Sequence, residues 1–247
     1  MTNVLEFMCG AGGATLGFLQ AGANVVGIDI DPACERHYPK PARFICHDVF
    51  TIESILDWPQ LLKWTDLFWA GPECEGNSRA TKIRGDQSEH EDQIARVRAM
   101  FQRFGKPYVI ENVPEAATKF HRMRADITLN GYTVGLMLDR PRVFEISGFT
   151  AVQPRYITRD EVPLDKRQKC SVFGRLVSST KKGGHERYEH DKYWRPIQMG
   201  IDHIPVNAGS SPDPETGRTY NLLALAVPPA MAEYLIKQFI KWRAEHP

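Results

Sequence analysis

Residues 4–29 read VLEFMCGAGGATLGFLQAGANVVGID, and this stretch decides the fold. The apolar run before Cys9 predicts a strand, and the glycines of residues 9–13 predict a tight turn. A helix is predicted next, with Gly22 as its stop, and a second strand then ends in Asp29. A strand, a glycine turn, a helix and another strand in this order favour an open α/β sheet.

The same unit is similar to a dinucleotide-binding fingerprint. In that motif glycines let a ligand approach the backbone, and a closing acid accepts hydrogen bonds from ribose hydroxyls. Asp29 supplies the acid, seventeen residues after Gly12. Thr15 stands where the strict pattern requires Gly, so the turn alone is a weak signal. An ordinary turn residue at the end of a strand is the second interpretation of Asp29.

Three more strands are predicted at residues 43–46, 66–69 and 108–110. A loop rich in Gly and Pro follows the fourth strand and contains Cys74, and Glu111 stops the fifth. In open α/β sheets ligands bind at the carboxyl ends of the strands. Four chemically useful positions are therefore expected on one edge of the sheet: Gly10, Asp29, Cys74 and Glu111.

The remaining elements complete an α/β pattern. An amphipathic helix is predicted at residues 89–104, and other helices at residues 51–63, 220–226 and 228–243. A short helix is also expected between residues 194 and 205. Two strands, at residues 132–135 and 142–146, are expected to form a hairpin that carries Arg140 and Arg142 near its turn. The alternative for the two arginines is a surface salt bridge.

Composition limits the class of protein. At 247 residues, 42% hydrophobic and 25% charged, the chain predicts one large soluble domain, alone or with a small insert. No apolar run reaches the length of a membrane span and no signal-peptide pattern is present, so a cytoplasmic protein is expected. Five cysteines without a CxxC pair indicate reduced thiols, and the spacing of His37, Cys46 and His47 fits no standard zinc site.

Charge is unevenly distributed along the chain. Residues 155–195 contain eleven Lys and Arg against six Asp and Glu, a net charge of +5 in a chain of net charge +1. A basic segment of this kind is typical of a polyanion contact, and also of a solvated loop. We predict a catalytic and cofactor-binding region at residues 1–150, a small basic recognition region at 151–195, and C-terminal helices at 196–247 that pack back on the first region.

The motifs together resemble the carbon-5 cytosine-specific DNA methyltransferase family, and most of all its compact phage-type members. The matching stretches follow the family's order over about the whole chain. They are VLEFMCGAGGATLGFLQAG, VVGIDIDP, the loop of residues 72–78, VIENVPEA, LMLDRPRVFEISGF and LAVPPAMAEYLI. The first stretch, Cys74 and the Glu-Asn-Val of residues 111–113 form the specific combination.

The resemblance implies a doubly wound, mixed, Rossmann-like sheet with a small target-recognition insert, and a role for each catalytic residue. A Cys74 thiolate would add to carbon 6 of cytosine and make carbon 5 nucleophilic. The Glu111 carboxyl group would stabilise ring nitrogen 3, with Asn112 positioning the loop. Arg140 and Arg142 would hold the cytosine carbonyl and DNA phosphates. The alternative for Cys74 is a structural role as a small thiol in the core.

The resemblance also implies S-adenosylmethionine as methyl donor, S-adenosylhomocysteine as product, and a monomer that acts on a DNA cytosine flipped out or single-stranded. The amino-acid part of the donor would lie over the glycine turn, with Asp29 at the donor's ribose and Asp48 at the amino group of its adenine. Glu6 is a further candidate to contact the amino group of the donor's amino-acid part. The residues assigned to the donor are Met8, Cys9, Gly10, Ala11, Gly12, Gly13, Asp29, Ile30, Asp48, Val49 and Gly71. Those assigned to DNA are Pro72, Glu73, Ser78, Arg175, Lys181 and Lys182.

The sequence departs from the family pattern beside the nucleophile. Glu73 replaces the usual Pro, and Glu75 the usual Gln; ionised carboxylates close to Cys74 would raise the pKa of its thiol. Met8 stands where an aromatic side chain is usual, and Leu138 where Gln is usual. Two alternatives therefore stay open: a non-catalytic DNA- or cofactor-binding homologue, and the same chemistry on another nucleotide substrate or with another donor.

Overall fold

The computed structural model describes residues 1–72, 93–163, 196–212, 217 and 219–246. Within this part of the chain, seven strands form one sheet in the order β3-β2-β1-β4-β5-β7-β6. Strands β1 to β5 are parallel, and β7 is antiparallel to both β5 and β6. The strands are β1 (Asn3–Phe7), β2 (Asn24–Asp29), β3 (Arg43–Cys46), β4 (Leu67–Ala70), β5 (Tyr108–Asn112), β6 (Ile127–Leu129) and β7 (Arg142–Ser147). The predicted α/β, doubly wound, mixed sheet is confirmed.

The direction of winding changes between β1 and β4. The chain runs outward from β1 to β3 and then returns to place β4 on the other side of β1. At such a switch point the loops beyond the two carboxyl ends part and leave a crevice for a ligand. The glycine turn after β1 and the Gly71-Pro72 segment after β4 stand on opposite sides of this crevice.

Helices cover both faces of the sheet. They are α1 (Gly13–Gln20), α2 (Trp58–Trp64), α3 (Gln93–Phe104), α4 (Pro114–Thr118), a short helix Leu222–Leu225 and a C-terminal helix Pro229–Glu245. Successive strand residues point to opposite faces, so Leu5 packs in a cluster with Phe101 of α3, whereas Val4 packs in a cluster with Phe18 of α1. Both clusters are apolar, as expected for parallel strands buried on both sides.

The C-terminal helix packs closely against α1. A Cβ atom at Gly17 would lie 2.1 Å from the Pro229 carbonyl oxygen, and one at Gly13 would lie 2.5 Å from the Val227 carbonyl oxygen. Side chains at these two positions would therefore push the C-terminal segment away from the sheet. The glycines fix the position of the residues just before the C-terminal helix.

One predicted strand is wrong. Residues 132–135 do not form a strand; a 3-10 helix, Gly131–Val134, occupies this region and ends at Gly135, whose φ is +81°. Gly131 packs so tightly that a Cβ atom there would lie 2.3 Å from the Leu138 carbonyl oxygen. The hairpin partner of β7 is instead β6, which begins and ends before the 3-10 helix.

Other boundaries also differ from the predictions. Strand β5 continues through Glu111 and Asn112 rather than stopping before them. The helix predicted at residues 51–63 is two elements: a 3-10 helix, Val49–Ser54, and α2, with Asp48 capping the first through a hydrogen bond from the Phe50 amide. The two C-terminal helices are confirmed, and residues 196–199 are helical as expected.

The proposed division into three regions stays a prediction, because residues 164–195 lie outside the described residues. Among the described helices, none is long and apolar enough to cross a bilayer.

Candidate active site

A cavity of about 710 Å³ opens at the carboxyl edge of the sheet, over the switch point. Most of its described lining falls into three parts. We call the residues that follow β1, β2 and β3 the β2 side, and those that follow β4 and end β5 or begin β7 the β5 side. Residues 210–212 and 220–227 contribute the C-terminal wall.

The glycine turn begins the β2 side. Met8 and Gly10 have φ values of +54° and +52°, in the left-handed region that Gly adopts more readily than other residues. Among the residues of the turn, Cys9, Gly10 and Ala11 line the cavity. Gly12 and Gly13 instead lack the room for a Cβ atom against Pro39 and Val227. The first part of the turn therefore contributes to the cavity, and the last two glycines provide packing.

Asp29 ties the turn to the end of β2. One carboxylate oxygen accepts a hydrogen bond from the Gly10 amide at 2.7 Å, and the other accepts from the Asp31 amide at 2.9 Å. Burial raises the pKa of Asp29, and these two hydrogen bonds oppose that shift. A carboxylate offers about four acceptor sites, so Asp29 keeps acceptor capacity toward the cavity that it lines.

Apolar side chains and one more carboxylate extend the β2 side. Ile30 is 68% exposed and lines the cavity together with Asp48, Val49 and Phe50. The guanidinium carbon of Arg96, on α3, lies 3.7 Å from the centre of the Phe50 ring. This part of the cavity is an apolar cleft with a carboxylate in its lining, a combination that suits a heteroaromatic ring with an amino group.

Glu6 lies at the bottom of the β2 side and is 3% exposed. Burial raises its pKa to about 8, against a hydrogen bond that the Thr15 hydroxyl donates to it. The Thr15 oxygen is also 2.6 Å from the Tyr38 hydroxyl. Burial and the nearby Glu6 raise the pKa of Cys9 well above its usual range, so this thiol stays neutral and acts as a packing group.

On the β5 side, Glu111 and Arg142 form a buried ion pair. The Arg142 Nε atom lies 2.6 Å from a Glu111 carboxylate oxygen, and the side chains are 13% and 8% exposed. Burial raises the pKa of Glu111, while Arg142 and Arg140 oppose the shift. The pairing register of β5 and β7 brings the two side chains together from residues far apart in sequence.

Asn112 holds the segment after β4 that ends the described residues before Cys74. Its side-chain amide donates to the Pro72 carbonyl at 3.0 Å, and its oxygen accepts from the Val113 amide at 2.9 Å. Gly71 and Pro72 both line the cavity. Pro72 is the last described residue before the loop, so Asn112 fixes the direction in which the chain leaves β4.

Arg140 makes different contacts from Arg142. Its guanidinium group donates to the carbonyl oxygens of Ala224 at 2.8 Å and Ala226 at 3.2 Å, and it is 7% exposed. Among the described residues that line the cavity, Arg142 is present and Arg140 is not. These contacts attach the hairpin to the C-terminal wall.

The sequence did not reveal the C-terminal wall as part of the site. Ser210, Ser211 and Tyr220 line the cavity opposite Asp31, whose carboxylate accepts from the Ser211 amide. Behind the wall, the His203 Nε2 atom lies 3.1 Å from the carbonyl oxygen of Ala11, and burial lowers the pKa of His203. The sequence signal that could have indicated this contact was the second acid of the Asp-Ile-Asp sequence at residues 29–31.

Several predicted site residues lie outside the described part of the chain. They are Glu73, Cys74, Ser78, Arg175, Lys181 and Lys182. Within the described residues, no group of three or more His, Cys, Asp and Glu side chains is arranged to hold a metal ion.

Comparison with known proteins gives one family. A family model for C-5 cytosine-specific DNA methylases matches residues 2–191. No curated protein matches the chain. Similar solved structures include a mutant DNMT2 of Spodoptera frugiperda, at 13% identity and a TM-score of 0.55, which covers 97% of this chain and 100% of that one.

A putative DNA modification methyltransferase encoded within a prophage of E. coli is similar at 16% identity and a TM-score of 0.52, over 99% of this chain and 100% of that one. The S. pombe Dnmt2 methyltransferase is similar at 15% identity and a TM-score of 0.53, over 97% and 98%. At these identities the likeness to the solved structures shows the fold alone.

Proposed function

We propose, from the premise that this chain belongs to the C-5 cytosine-specific DNA methylase family, that it transfers the methyl group of S-adenosylmethionine to carbon 5 of cytosine in DNA through a covalent adduct at Cys74. The observation that carries the proposal is that Asp29, Asp48 and the Glu111–Arg142 pair line one and the same cavity. One side of the cavity suits a nucleoside-like donor and the other suits a cytosine ring.

The charge of the β2 side favours this donor. S-adenosylmethionine carries a sulfonium and an ammonium against one carboxylate, so it is a net cation. Asp29, Asp31 and Asp48 line this part of the cavity and attract a cation. After transfer the sulfonium charge is lost, and the attraction for the product is weaker than for the donor.

The shape of the β2 side gives each part of the donor a partner. Asp29 has acceptor capacity left for the ribose hydroxyls, and Asp48 lies at the end of the apolar cleft where an adenine amino group would donate to it. Ile30 and Val49 provide the apolar walls for the adenine ring. Gly10 and Ala11 allow the amino-acid part to approach the backbone, because neither has a bulky side chain.

The β5 side suits the target base. The Arg142 guanidinium group is a donor for the cytosine carbonyl oxygen. Burial raises the pKa of Glu111 against the effect of Arg142, and the protonated form of its carboxyl group would donate to ring nitrogen 3. Pro72, which precedes Cys74 by two residues in the sequence, lines this part of the cavity and accepts a hydrogen bond from Asn112.

The chemistry divides into three steps at the cytosine. The Cys74 thiolate forms a bond to carbon 6, and the ring electrons move toward nitrogen 3, where Glu111 stabilises them. The bound donor would supply the methyl group to carbon 5, with its S–CH3 bond broken and its sulfur left as a neutral thioether. Water or hydroxide finally removes the proton from carbon 5, the bond between carbon 6 and sulfur breaks, and the Cys74 thiolate is regenerated.

A base inside a duplex cannot reach this cavity, so the target must be flipped out or already single-stranded. We assign phosphate contacts to the basic segment of residues 151–195, with Arg175, Lys181 and Lys182 as the leading candidates. Its small size favours a short recognition sequence.

The test is a methyl-transfer assay with labelled S-adenosylmethionine and several DNAs, followed by digestion to nucleosides. We expect 5-methylcytosine from the wild type and from a Cys46→Ala control, in which an exposed thiol on the same sheet edge is removed. Cys74→Ala should lose turnover by at least about a thousandfold and keep donor affinity. Turnover by Cys74→Ala would remove Cys74 from the mechanism, and absence of 5-methylcytosine on every DNA would reject the function.

DNA that contains 5-fluorocytosine provides an independent measurement. Fluorine at carbon 5 blocks the proton loss that releases the enzyme, so a covalent complex at Cys74 should accumulate. A binding-only homologue would form no such complex.

A further inference from the structure

Asp31 joins two parts of the donor pocket that are 180 residues apart in sequence. Its carboxylate oxygens accept from the Ser211 amide at 3.0 and 3.2 Å, and one of them also accepts from the Ala33 amide at 2.9 Å. The contact crosses from the end of β2 to the C-terminal wall. Asp31 and Ser211 both line the cavity.

The wall at this point is a small unit with its own hydrogen bonds. The Ser210 amide donates to the Tyr220 carbonyl at 2.9 Å, and the Tyr220 amide donates to the Ser210 hydroxyl at 2.8 Å. An isolated antiparallel bridge joins Gly209 to Asn221 beside them. Because residues 209–210 and 220–221 are hydrogen-bonded to one another, the Asp31–Ser211 contact sets the distance between this unit and the end of β2.

Asp31 is also connected to the residue that we assign to the ribose. Its amide donates to one oxygen of Asp29, whose other oxygen accepts from Gly10. The glycine turn, the end of β2 and the C-terminal wall are thus linked in one series of hydrogen bonds. A displacement of Ser211 would widen the pocket at the point where Asp29 faces it.

We propose that Asp31 is a positioning residue for donor binding: its carboxylate holds Ser210, Ser211 and Tyr220 as the far wall of the donor pocket. The inference rests on the proposed function, which places the donor on the β2 side. It assigns to Asp31 an effect on donor affinity and none on the chemistry at cytosine.

The first experiment compares Asp31→Ala and Asp31→Asn with the same substitutions at Asp66. Asp66 is a matched control, since its carboxylate also accepts a distant backbone amide, that of Asn3 at 2.9 Å, but at the opposite edge of the sheet. For Asp31→Ala we expect the donor Kd and KM to rise about tenfold, as for the loss of one charge-assisted hydrogen bond. We expect kcat at saturating donor and KM for DNA to stay within about twofold of wild type.

The second experiment separates the hydrogen bond from the charge. Ser211→Pro removes the N–H that Asp31 accepts and leaves the carboxylate in place. We expect it to weaken donor binding, but less than Asp31→Ala, which also removes a carboxylate charge from the pocket. The double variant should bind donor about as weakly as Asp31→Ala alone. Thermal unfolding of each variant monitors folding, and if Asp31→Ala does not fold, Asp31→Asn and Ser211→Pro carry the comparison.

Three results would overturn the proposal. Asp31 variants that change the donor Kd no more than the Asp66 variants would show no role in binding. A fall in kcat with unchanged donor KM would place Asp31 in the chemistry. Loss of affinity in Asp31→Asn but not in Ser211→Pro would mean that charge alone matters. Calorimetry measures donor affinity without turnover, so a wild type that binds donor but makes no 5-methylcytosine would reject the proposed function separately.

Discussion

The β2 side and the β5 side of the cavity hold their charged groups by different contacts. On the β2 side, Asp29, Asp31 and Asp48 each accept the backbone amide of the residue two positions later, and Asp29 and Asp31 add contacts to Gly10 and Ser211. On the β5 side no such local cap among the described residues holds the carboxylate of Glu111, and Asn112 reaches Pro72 across 40 residues. Glu111 and Arg142 meet only because β5 and β7 pair.

This difference in contacts predicts how each side of the cavity responds to substitution of its charged residues. An acid that caps a local turn stays in place while that turn exists, and its remaining acceptors are available to a ligand. A buried ion pair between strands depends on both partners, because removal of one leaves an uncompensated charge. We therefore expect substitutions on the β2 side to alter donor affinity, and substitutions on the β5 side to alter the rate of methyl transfer.

The largest expected effect tests the β5 side. Glu111→Gln should lower kcat by about 10²- to 10⁴-fold, because the amide cannot transfer a proton to ring nitrogen 3. Donor Kd, measured by calorimetry, should not change. Glu115→Gln, on α4, is the control and should keep wild-type kcat. A tenfold loss of donor affinity in Glu111→Gln would contradict the assignment of donor affinity to the β2 side and of the methyl-transfer rate to the β5 side.

The corresponding test of the β2 side is Asp29→Ala. It should raise the donor Kd by about 10- to 100-fold, the loss expected for hydrogen bonds to a charged acceptor. Single-turnover rates at saturating donor should remain within a few-fold of wild type. Asp57→Ala is a suitable control, since Asp57 precedes α2 without a side-chain cap. A rate defect that persists at saturating donor would show that Asp29 also affects the chemistry.

The pH dependence of stability tests the burial of Glu6. Burial raises the pKa of Glu6 from an ordinary 4.5 to about 8 in the folded protein. Its contribution to the free energy of unfolding is therefore fully present below pH 4.5 and is lost as the pH rises toward 8. Between pH 6 and 8 this group should lower the free energy of unfolding by about 2 kcal/mol. Glu6→Gln should lack that decrease in denaturant titrations. An equal decrease in both proteins would mean that Glu6 is ionised in the folded state.

The smallest effect concerns Met8, which lines the β2 side where the family has an aromatic side chain. Met8→Phe should tighten donor binding about two- to fivefold, because an aromatic ring attracts a sulfonium cation. Met8→Leu should leave the donor Kd unchanged. Weaker binding by the Phe variant would show that the C-terminal wall already fills this space.

The two sides also differ in what the sequence could predict. Strand ends followed by Gly10, Asp29, Asp48 and Glu111 are local patterns, and the parallel sheet places them on one edge. The 3-10 helix Gly131–Val134 was mistaken for a strand because Tyr, Thr and Val favour strands, and the tight packing of Gly131 against Leu138 depends on tertiary structure.

The contacts of Arg140 and Asp31 could not be predicted for the same reason. Each depends on where residues 209–226 lie, and no local pattern gives that position. Resemblance assigned Arg140 to substrate contacts, which stays a prediction, whereas its described contacts are carbonyl oxygens of the C-terminal wall.

The close contact of Gly13 with Val227 has a consequence for protein synthesis. The glycine turn leaves the ribosome before the segment that packs against it, which follows about 210 residues later. At 5–20 residues per second this interval lasts roughly 10 to 40 s. During that time the nascent chain can pair its first strands but has no C-terminal wall, so it should gain donor affinity only late in translation.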